Sequence, residues 1–293
     1  MRYGACDIGT NSCRLLVAQI VSGDFSILEK KVVTTRIGEG MGHNKWLKPK
    51  AIDRTLDCLS RFVEDMHRWQ VMMSTVVATS AVRESMNQFD FLILAQERTG
   101  FDVEVLSGEK EGYLSYLGVK KSFNMKAHPV VVDVGGGSVE FSYHRRKVHS
   151  MSIPVGAVKA TEADWDETDI KNLLGERISD LPLSPLVLVG GTATSMVAIK
   201  KEMKRYNPKE VQGEKLSLSD ISDLYQRLNG MTIEQKRELT GLQPERADIM
   251  EKGVLIIKSI MELMGRKQAL VSDSDLLDGI IWSLHDQNVS LGD

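Results

Sequence analysis

Hydrophobic residues follow two different periods along the chain, and the changes of period outline its elements. Residues 3–41 are rich in aliphatic and β-branched residues and break at glycine turns, which predicts three successive strands, the third ending at Gly38. Residues 49–69 carry an apolar residue every three to four positions and predict an amphipathic helix. Two further pairs follow, strand 74–82 with helix 87–100 and strand 101–108 with helix 109–121. The first part of the chain is therefore predicted to be βββαβαβα.

The opening pattern occurs a second time. Residues 130–157 again predict strand, glycine turn, strand, hairpin turn and strand, and the frame Asp-aliphatic-Gly-x-x-Ser stands at 7–12 and at 133–138. The second part then carries a strand and helix over 185–204, helices over 217–264, a strand at 268–273 and a closing helix at 276–284. We predict two duplicated α/β domains, 1–125 and 126–293, with the glycine turns facing an interdomain cleft.

Composition excludes several classes of protein. The chain has 293 residues, 42% of them hydrophobic, and a formal net charge of -3, so no overall basic field indicates a nucleic-acid partner. No apolar run approaches the roughly 20 residues that a membrane helix requires. The three cysteines form no Cys-x-x-Cys pair, and their odd number argues against a disulfide framework. We expect a cytoplasmic protein with no membrane or nucleic-acid partner; the oligomeric state is left open, with a homodimer as one option.

The repeated glycine turns are candidate phosphate-binding loops. Glycine lets successive backbone N–H groups converge on an anion, and hydroxyl and amide side chains add donors. A third glycine turn opens the helix after the strand at 186–189, where free N–H groups and the helix dipole favour an anion. Tight hairpins and close strand-to-helix packing also require glycine, so single turns remain ambiguous. The predicted phosphate ligands are Gly9, Thr10, Asn11 and Ser12; Gly135, Gly136, Gly137 and Ser138; and Gly190, Gly191 and Thr192.

Two aspartates, Asp7 and Asp133, stand at the start of the first two turns. A carboxylate repels phosphate, but Mg²⁺ is bound in proteins by one or two carboxylates together with water and the phosphate oxygens of a substrate. The two residues are therefore candidate metal ligands. Each can instead cap its own turn.

Arg83 and two glutamates, Glu109 and Glu111, follow predicted strands of the first domain. A guanidinium there can bind phosphate through two hydrogen bonds, and a carboxylate can position the water that attacks a phosphoryl group. A surface arginine and a first-turn acid that complements the helix dipole are the alternatives.

The motifs together resemble a known family. They are "DIGTNS", "TSAVRES", "LSGEKEGYLSYLGV", "VVVDVGGGSVEF", "LVGGTATS", "ERADIMEKG" and "VSDSDLLDG". In this order and spacing the chain resembles the exopolyphosphatase and guanosine pentaphosphate phosphohydrolase family. That family belongs to the actin, Hsp70 and sugar-kinase (ribonuclease H-like) fold superfamily.

The resemblance implies Mg²⁺-dependent hydrolysis of a terminal phosphoanhydride in polyphosphate or guanosine pentaphosphate. It implies that Glu111 activates the attacking water, that Arg83 faces phosphate, and that Asp133 and Glu140 act around the second turn. The metal ligands expected from the residues and the resemblance together are Asp7, Asp133 and Glu140. A kinase or ATPase of the same fold, or a weakly active sensor of guanosine tetraphosphate, remain alternatives.

The chain departs from the family pattern at two motifs. Lys110 stands where relatives carry a second glutamate before Glu111, and "DLLDG" at 275–279 lacks a glycine and an arginine. We therefore expect the pKa of Glu111 and the placement of the metal to differ from relatives. Longer relatives also carry a C-terminal helical domain that this sequence lacks, which leads us to expect a preference for shorter polyphosphate.

Overall fold

The computed structural model describes residues 1–123 and 125–290, without the side chain of His43. Asn124 and residues 291–293, which the sequence assigns to the ends of the two domains, lie outside the described residues. The described chain forms two compact units. Among the described residues, the first contains 1–121 and 276–290, and the second contains 122–123 and 125–275.

The first unit is built on a five-stranded sheet in the order β3-β2-β1-β4-β5. Its strands are β1 (Arg2–Ile8), β2 (Cys13–Val21), β3 (Asp24–Val33), β4 (Met73–Ala78) and β5 (Val103–Val105). Its first helices are α1 (Met41–Asn44), α2 (Pro49–Arg68), α3 (Ser80–Glu84), α4 (Gln88–Thr99) and α5 (Gly108–Ser122). The strands β1, β4 and β5 are parallel, whereas β2 is antiparallel to β1 and β3.

The second unit has a six-stranded sheet in the order β10-β11-β9-β6-β7-β8. Its strands are β6 (Val130–Val134), β7 (Val139–His144), β8 (Val148–Ile153), β9 (Leu186–Val189), β10 (Lys215–Ser217) and β11 (Gln268–Val271). Its helices are α6 (Ala157–Glu162), α7 (Glu167–Ile178), α8 (Gly190–Lys200), α9 (Pro208–Val211), α10 (Leu218–Asn229), α11 (Ile233–Arg237) and α12 (Met250–Leu263), with a 3₁₀ turn at Pro244–Arg246. From its hairpin edge the order β8-β7-β6-β9-β11 repeats that of the first sheet, which confirms the predicted duplication.

The strand predicted at 74–82 ends earlier than expected. Its parallel partner β1 stops at Ile8, and the N–H of Thr79 makes the last bond to that strand, 3.2 Å from the carbonyl oxygen of Ile8. Beyond this bond the chain turns into α3, which carries Arg83 in its last turn. The early end of β4 thus brings Arg83 back toward the edge of the sheet.

The closing helix α13 (Leu276–Ser290) belongs to the first unit, not to the second as the predicted domain 126–293 implies. Leu277 and Ile280 lie in one apolar cluster with Tyr3 and Leu16 of the first sheet. A Cβ added to Gly279 would lie 1.8 Å from the carbonyl oxygen of Leu114 on α5, so only glycine permits this helix contact. Leu276, Leu277 and Gly279 of the altered "DLLDG" segment therefore pack within the first unit.

None of the helices in residues 1–123 and 125–290 is both long enough and apolar enough to cross a membrane.

Candidate functional site

The first glycine turn follows β1 and is closed by its own backbone. The N–H of Gly9 donates to the carbonyl oxygen of Ser12 over 3.0 Å. The carbonyl oxygens of Thr10 and Asn11 accept from the N–H groups of Gly38 and Arg36, at 3.0 and 2.9 Å. Because a trans peptide points its N–H opposite to its C=O, the N–H groups of Asn11 and Ser12 are directed away from segment 36–38. The turn can therefore present amide donors to an anion.

The second glycine turn, after β6, repeats this construction. The N–H of Gly135 donates to the carbonyl oxygen of Ser138, also over 3.0 Å. The carbonyl oxygens of Gly135 and Gly136 accept from the N–H groups of Ala157 and Val158, at 3.0 and 2.8 Å. By the same reasoning, the N–H groups of Gly136 and Gly137 point to the other side of the turn.

The aspartates that precede the two turns face cross-strand neighbours of opposite charge, a cation for Asp7 and an anion for Asp133. Asp7 pairs across the strands with Arg14, and its Oδ2 accepts from Nε at 2.9 Å and from Nη2 at 2.7 Å. Asp133 pairs across the strands with Glu140. Residues directly opposite on antiparallel strands share a face, so the second unit places two carboxylates side by side.

Glu140 is held firmly in the second unit. Its side chain is 2% exposed, and its Oε1 accepts hydrogen bonds from the hydroxyls of Ser138 and Ser152, both at 2.7 Å. Ser138 belongs to the glycine turn, and Ser152 faces Glu140 from β8. The turn, the carboxylate and the hairpin are thus joined by one set of hydrogen bonds.

The third glycine turn opens α8 directly after β9, as predicted. Gly190 has φ +84°, and a Cβ there would lie 2.6 Å from Oδ1 of Asp133, so the aspartate carboxylate lies against this glycine. Strands β6 and β9 are parallel, which puts the second and third turns at one edge of the sheet. Thr192 lies on the first turn of α8, where its methyl and hydroxyl approach Gly253 of α12.

Arg246 is a candidate site residue that motif reasoning did not single out. A Cβ added to Gly191 would lie 1.7 Å from its Nη1, so the guanidinium lies directly on the glycine at the start of α8. The signal was present in the sequence, because Arg246 stands within "ERADIMEKG". Its position places a cation at the third glycine turn.

In the first unit, Arg83 and Glu111 are joined. Nη1 of Arg83 donates to Oε2 of Glu111 over 2.8 Å and to the carbonyl oxygen of Leu106 over 2.9 Å. Glu111 is 8% exposed in the first turn of α5. Since β1, β4 and β5 are parallel, the segments after them, including the first glycine turn, lie at one edge of this sheet. Lys110, in contrast, forms an ion pair with Glu104 at the surface.

The surroundings of the three expected metal ligands distinguish Asp133 and Glu140 from Asp7. Within the described part of the chain, no three His, Cys, Asp or Glu side chains cluster as a metal site. Asp133 and Glu140 still fit Mg²⁺, which is commonly held by one or two carboxylates plus phosphate and water oxygens. Asp7 fits less well, because Arg14 already neutralises its carboxylate.

Comparison with known proteins agrees with the motifs. The sequence profile of the Ppx/GppA phosphatase family matches residues 16–288. Exopolyphosphatase 2 of Mycobacterium tuberculosis is 30% identical over 97% of this chain and 98% of its own. A bifunctional 3-dehydroquinate synthase/phosphatase of Fusobacterium nucleatum is 31% identical over 94% of this chain, which spans 45% of that longer protein.

A solved structure supports the same assignment. The crystal structure of the Aquifex aeolicus member of the Ppx/GppA protein family is 28% identical, with a TM-score of 0.83 over 98% of this chain and 99% of that one. The duplicated sheets, the paired glycine turns and these matches lead to one conclusion. The chain belongs to the Ppx/GppA phosphatase family of hydrolases, with the actin-like α/β fold that its ordered motifs predict.

Proposed function

We propose that this protein cleaves the terminal phosphoanhydride of inorganic polyphosphate or of guanosine pentaphosphate and releases orthophosphate with the help of Mg²⁺. The observation that carries the proposal is the buried carboxylate of Glu111, fixed by Arg83 at the sheet edge where the first glycine turn lies. A hydrolase needs a base or water-positioning group near the phosphoryl group, whereas glycine turns alone would also suit a kinase.

The glycine turns bind the phosphate oxygens. Residues 9–12 and 135–138 present backbone N–H groups, and the third turn adds the N-terminal end of α8. Arg246 adds a positive charge at that helix end. Hydrogen bonds from a guanidinium to an anion are stronger than those between neutral groups. Each unit thus presents groups that can bind phosphate oxygens.

Glu111 accepts the proton of the attacking water. Arg83 holds Oε2 of this carboxylate through Nη1, so the side chain keeps one orientation while it positions the water. The carbonyl oxygen of Leu106 accepts a second hydrogen bond from the same guanidinium nitrogen. A guanidinium beside the water-positioning carboxylate can also stabilise the negative charge that develops on a phosphoryl oxygen.

Asp133 and Glu140 would hold Mg²⁺ at the second turn. When bound, the cation supplies charge neutralisation for phosphate oxygens. Ser138 and Ser152 keep Glu140 in place through its Oε1. Asp7 has a different role in this proposal, since its pairing with Arg14 fixes the end of β1 beside the first turn.

One assay tests the proposal. Purified protein is incubated with Mg²⁺ and polyphosphate, guanosine pentaphosphate or ATP, and orthophosphate is measured over time, for the wild type and Glu111→Gln. We expect release from one of the first two substrates and its loss in the variant. Unchanged release in Glu111→Gln would remove Glu111 from the mechanism. Tight binding of guanosine tetraphosphate without any turnover would favour a sensor, and phosphoryl transfer from ATP to a second substrate would favour a kinase.

A further inference from the structure

The three cysteines, all free and buried, lie in the first unit. Cys6 lies on β1, Cys13 is the first residue of β2, and Cys58 lies on α2. All three belong to one apolar cluster, and the thiols of Cys13 and Cys58 are hydrogen-bonded to each other. The contact joins a helix to the strand that leaves the first glycine turn.

Cys58 can be reached by a small molecule. It lines a cavity of about 320 Å³ between β3 and α2, whose rim includes Lys31, Arg54 and Arg61. Cys13 is fully buried behind it and does not line this cavity. An oxidant the size of hydrogen peroxide therefore meets Cys58 first.

The two thiols differ in acidity. The hydrogen bond donated by Cys13 lowers the pKa of Cys58. Burial raises this pKa, the charge of Arg61 lowers it, and the net shift is downward. The same hydrogen bond, with burial, raises the pKa of Cys13 well above its usual range. Burial also raises the pKa of Cys6. Cys58 is thus the more acidic and more accessible of the two thiols and the one that reacts first, while Cys13 keeps its proton.

We propose that Cys58 and Cys13 form a peroxide-responsive dithiol pair that closes to a disulfide beside the first glycine turn. The Cys58 thiolate attacks one oxygen of hydrogen peroxide, the O–O bond breaks, and sulfenic acid and hydroxide form. The sulfur of Cys13 then attacks the Cys58 sulfenic acid, which forms the S–S bond and releases water. The two thiols together lose two electrons and peroxide gains them.

The disulfide acts on phosphate binding, and this consequence rests on the proposed function. Cys13 directly follows Ser12, whose carbonyl oxygen accepts the hydrogen bond that closes the first turn. A covalent bond from Cys13 to α2 replaces a hydrogen bond between thiols with the shorter, fixed length of an S–S bond, which shifts the first residue of β2. A displacement of about 1 Å in a positioning group can lower a rate by 10²-fold. We therefore expect oxidation to lower the affinity of the turn for phosphate at least about tenfold.

Peptide mapping tests the disulfide itself. The full chain is treated with excess hydrogen peroxide, denatured, alkylated, digested and analysed by mass spectrometry. We expect a linked Cys13–Cys58 peptide and an alkylated Cys6. The matched variant Cys6→Ser still forms the link, and Cys58→Ser leaves Cys13 alkylated. Two alkylated cysteines at 13 and 58 in the treated wild type, or a dominant Cys6–Cys58 link, would overturn the proposal.

A binding measurement tests the effect on the turn without requiring turnover. Calorimetric binding of tripolyphosphate is compared for reduced, oxidised and re-reduced protein, with thermal unfolding to confirm the fold. We expect weaker binding after oxidation, recovery with dithiothreitol, and no response to peroxide in Cys58→Ser. Equal affinity of the linked and reduced proteins would overturn the regulatory role. A reduced protein that binds tripolyphosphate but releases no orthophosphate from polyphosphate or guanosine pentaphosphate would refute the proposed hydrolysis and leave the dithiol proposal standing.

Discussion

Asp133 lies directly opposite Glu140 in the antiparallel pairing of β6 with β7. The corresponding position in the first unit places Arg14 opposite Asp7. Cross-strand neighbours have Cβ atoms about 4.5–5.5 Å apart. The carboxylates of Asp133 and Glu140 therefore repel each other, whereas Asp7 and Arg14 attract each other. The two glycine turns are therefore alike in backbone, but the cross-strand pair is formally neutral beside the first turn and formally −2 beside the second, which favours a cation at the second turn.

Glu140→Gln should change the Mg²⁺ requirement, and Asp7→Asn should not. Loss of one carboxylate at the second turn removes a ligand, and we expect the Mg²⁺ concentration for half-maximal phosphate release to rise about 10- to 100-fold. Asp7→Asn is the matched acid-to-amide change at the equivalent strand end. The measurement is a Mg²⁺ titration of initial rates. An equal shift in Asp7→Asn would restore the three-ligand set of Asp7, Asp133 and Glu140.

Asp7→Asn should instead lower the free energy of unfolding. The variant leaves the guanidinium of Arg14, 16% exposed, without its carboxylate partner. We expect a loss of about 3 kcal/mol, at the lower end of the range for breaking a buried ion pair. Asp53→Asn, which breaks an exposed pair with Arg98, is the control and should cost less than about 1 kcal/mol. Urea denaturation measures both, and equal losses would show that burial of the Asp7 pair is unimportant.

Glu111→Gln should reduce catalysis far more than Glu109→Gln. Both glutamates lie in the first turn of α5, but Glu111 is buried against Arg83 whereas Glu109 is exposed. Loss of a general base typically costs 10²–10⁴-fold, so we expect kcat to fall in that range with little change in KM. Steady-state phosphate release gives both constants. Similar rates for the two variants would reduce Glu111 to a complement of the helix dipole.

The glycine turns could be predicted because they depend on local sequence. The frame at 7–12 recurs at 133–138, and each copy forms the same closing bond, from Gly9 to Ser12 and from Gly135 to Ser138. Hydrophobic periodicity likewise predicted most helices, because the residues that form an amphipathic face lie within one continuous segment of the sequence.

Partners that meet through tertiary contacts were harder to predict. The pairing of Asp7 with Arg14 depends on strand register, and the contact of Arg246 with Gly191 joins segments far apart in the chain. The assignment of α13 failed for the same reason. The apolar face of α13 predicts that the helix packs against a core. The close approach of Gly279 to Leu114 shows that this core belongs to the first unit.

Gly191→Ala should weaken substrate binding by displacing Arg246. The added methyl overlaps the guanidinium, which must move away from the start of α8. A charged hydrogen bond is worth about 1.5–3 kcal/mol, so we expect KM for the phosphate substrate to rise at least about tenfold. Arg246→Ala should give a similar rise, and the double variant should be no worse than either, because both remove one interaction.

Gly175→Ala is the matched glycine control. An added Cβ there meets no atom within 4 Å, and the residue lies within α7. This change should leave KM unaltered and raise stability by up to about 1 kcal/mol through helix propensity. Additive effects of Gly191→Ala and Arg246→Ala would show that the two residues act separately.

Glu167→Gln should remove part of the acid sensitivity of the second unit. Hydrogen bonds from Lys171 and Lys258 lower the pKa of Glu167 from 4.5 to about 2. A carboxyl whose pKa is depressed on folding stabilises the protein above its unfolded value, and this stabilisation is lost as pH falls from about 4.5 to about 2.

The side chain of Glu167 is 36% exposed, so solvent screening limits the effect to below about 1 kcal/mol. Urea denaturation at pH 6 and pH 3 measures it. We expect the wild type to lose more stability between these pH values than Glu167→Gln does, while the exposed Glu176→Gln on the same helix keeps the wild-type slope. Identical slopes for wild type and Glu167→Gln would show that the lysine contacts do not hold this carboxylate in solution.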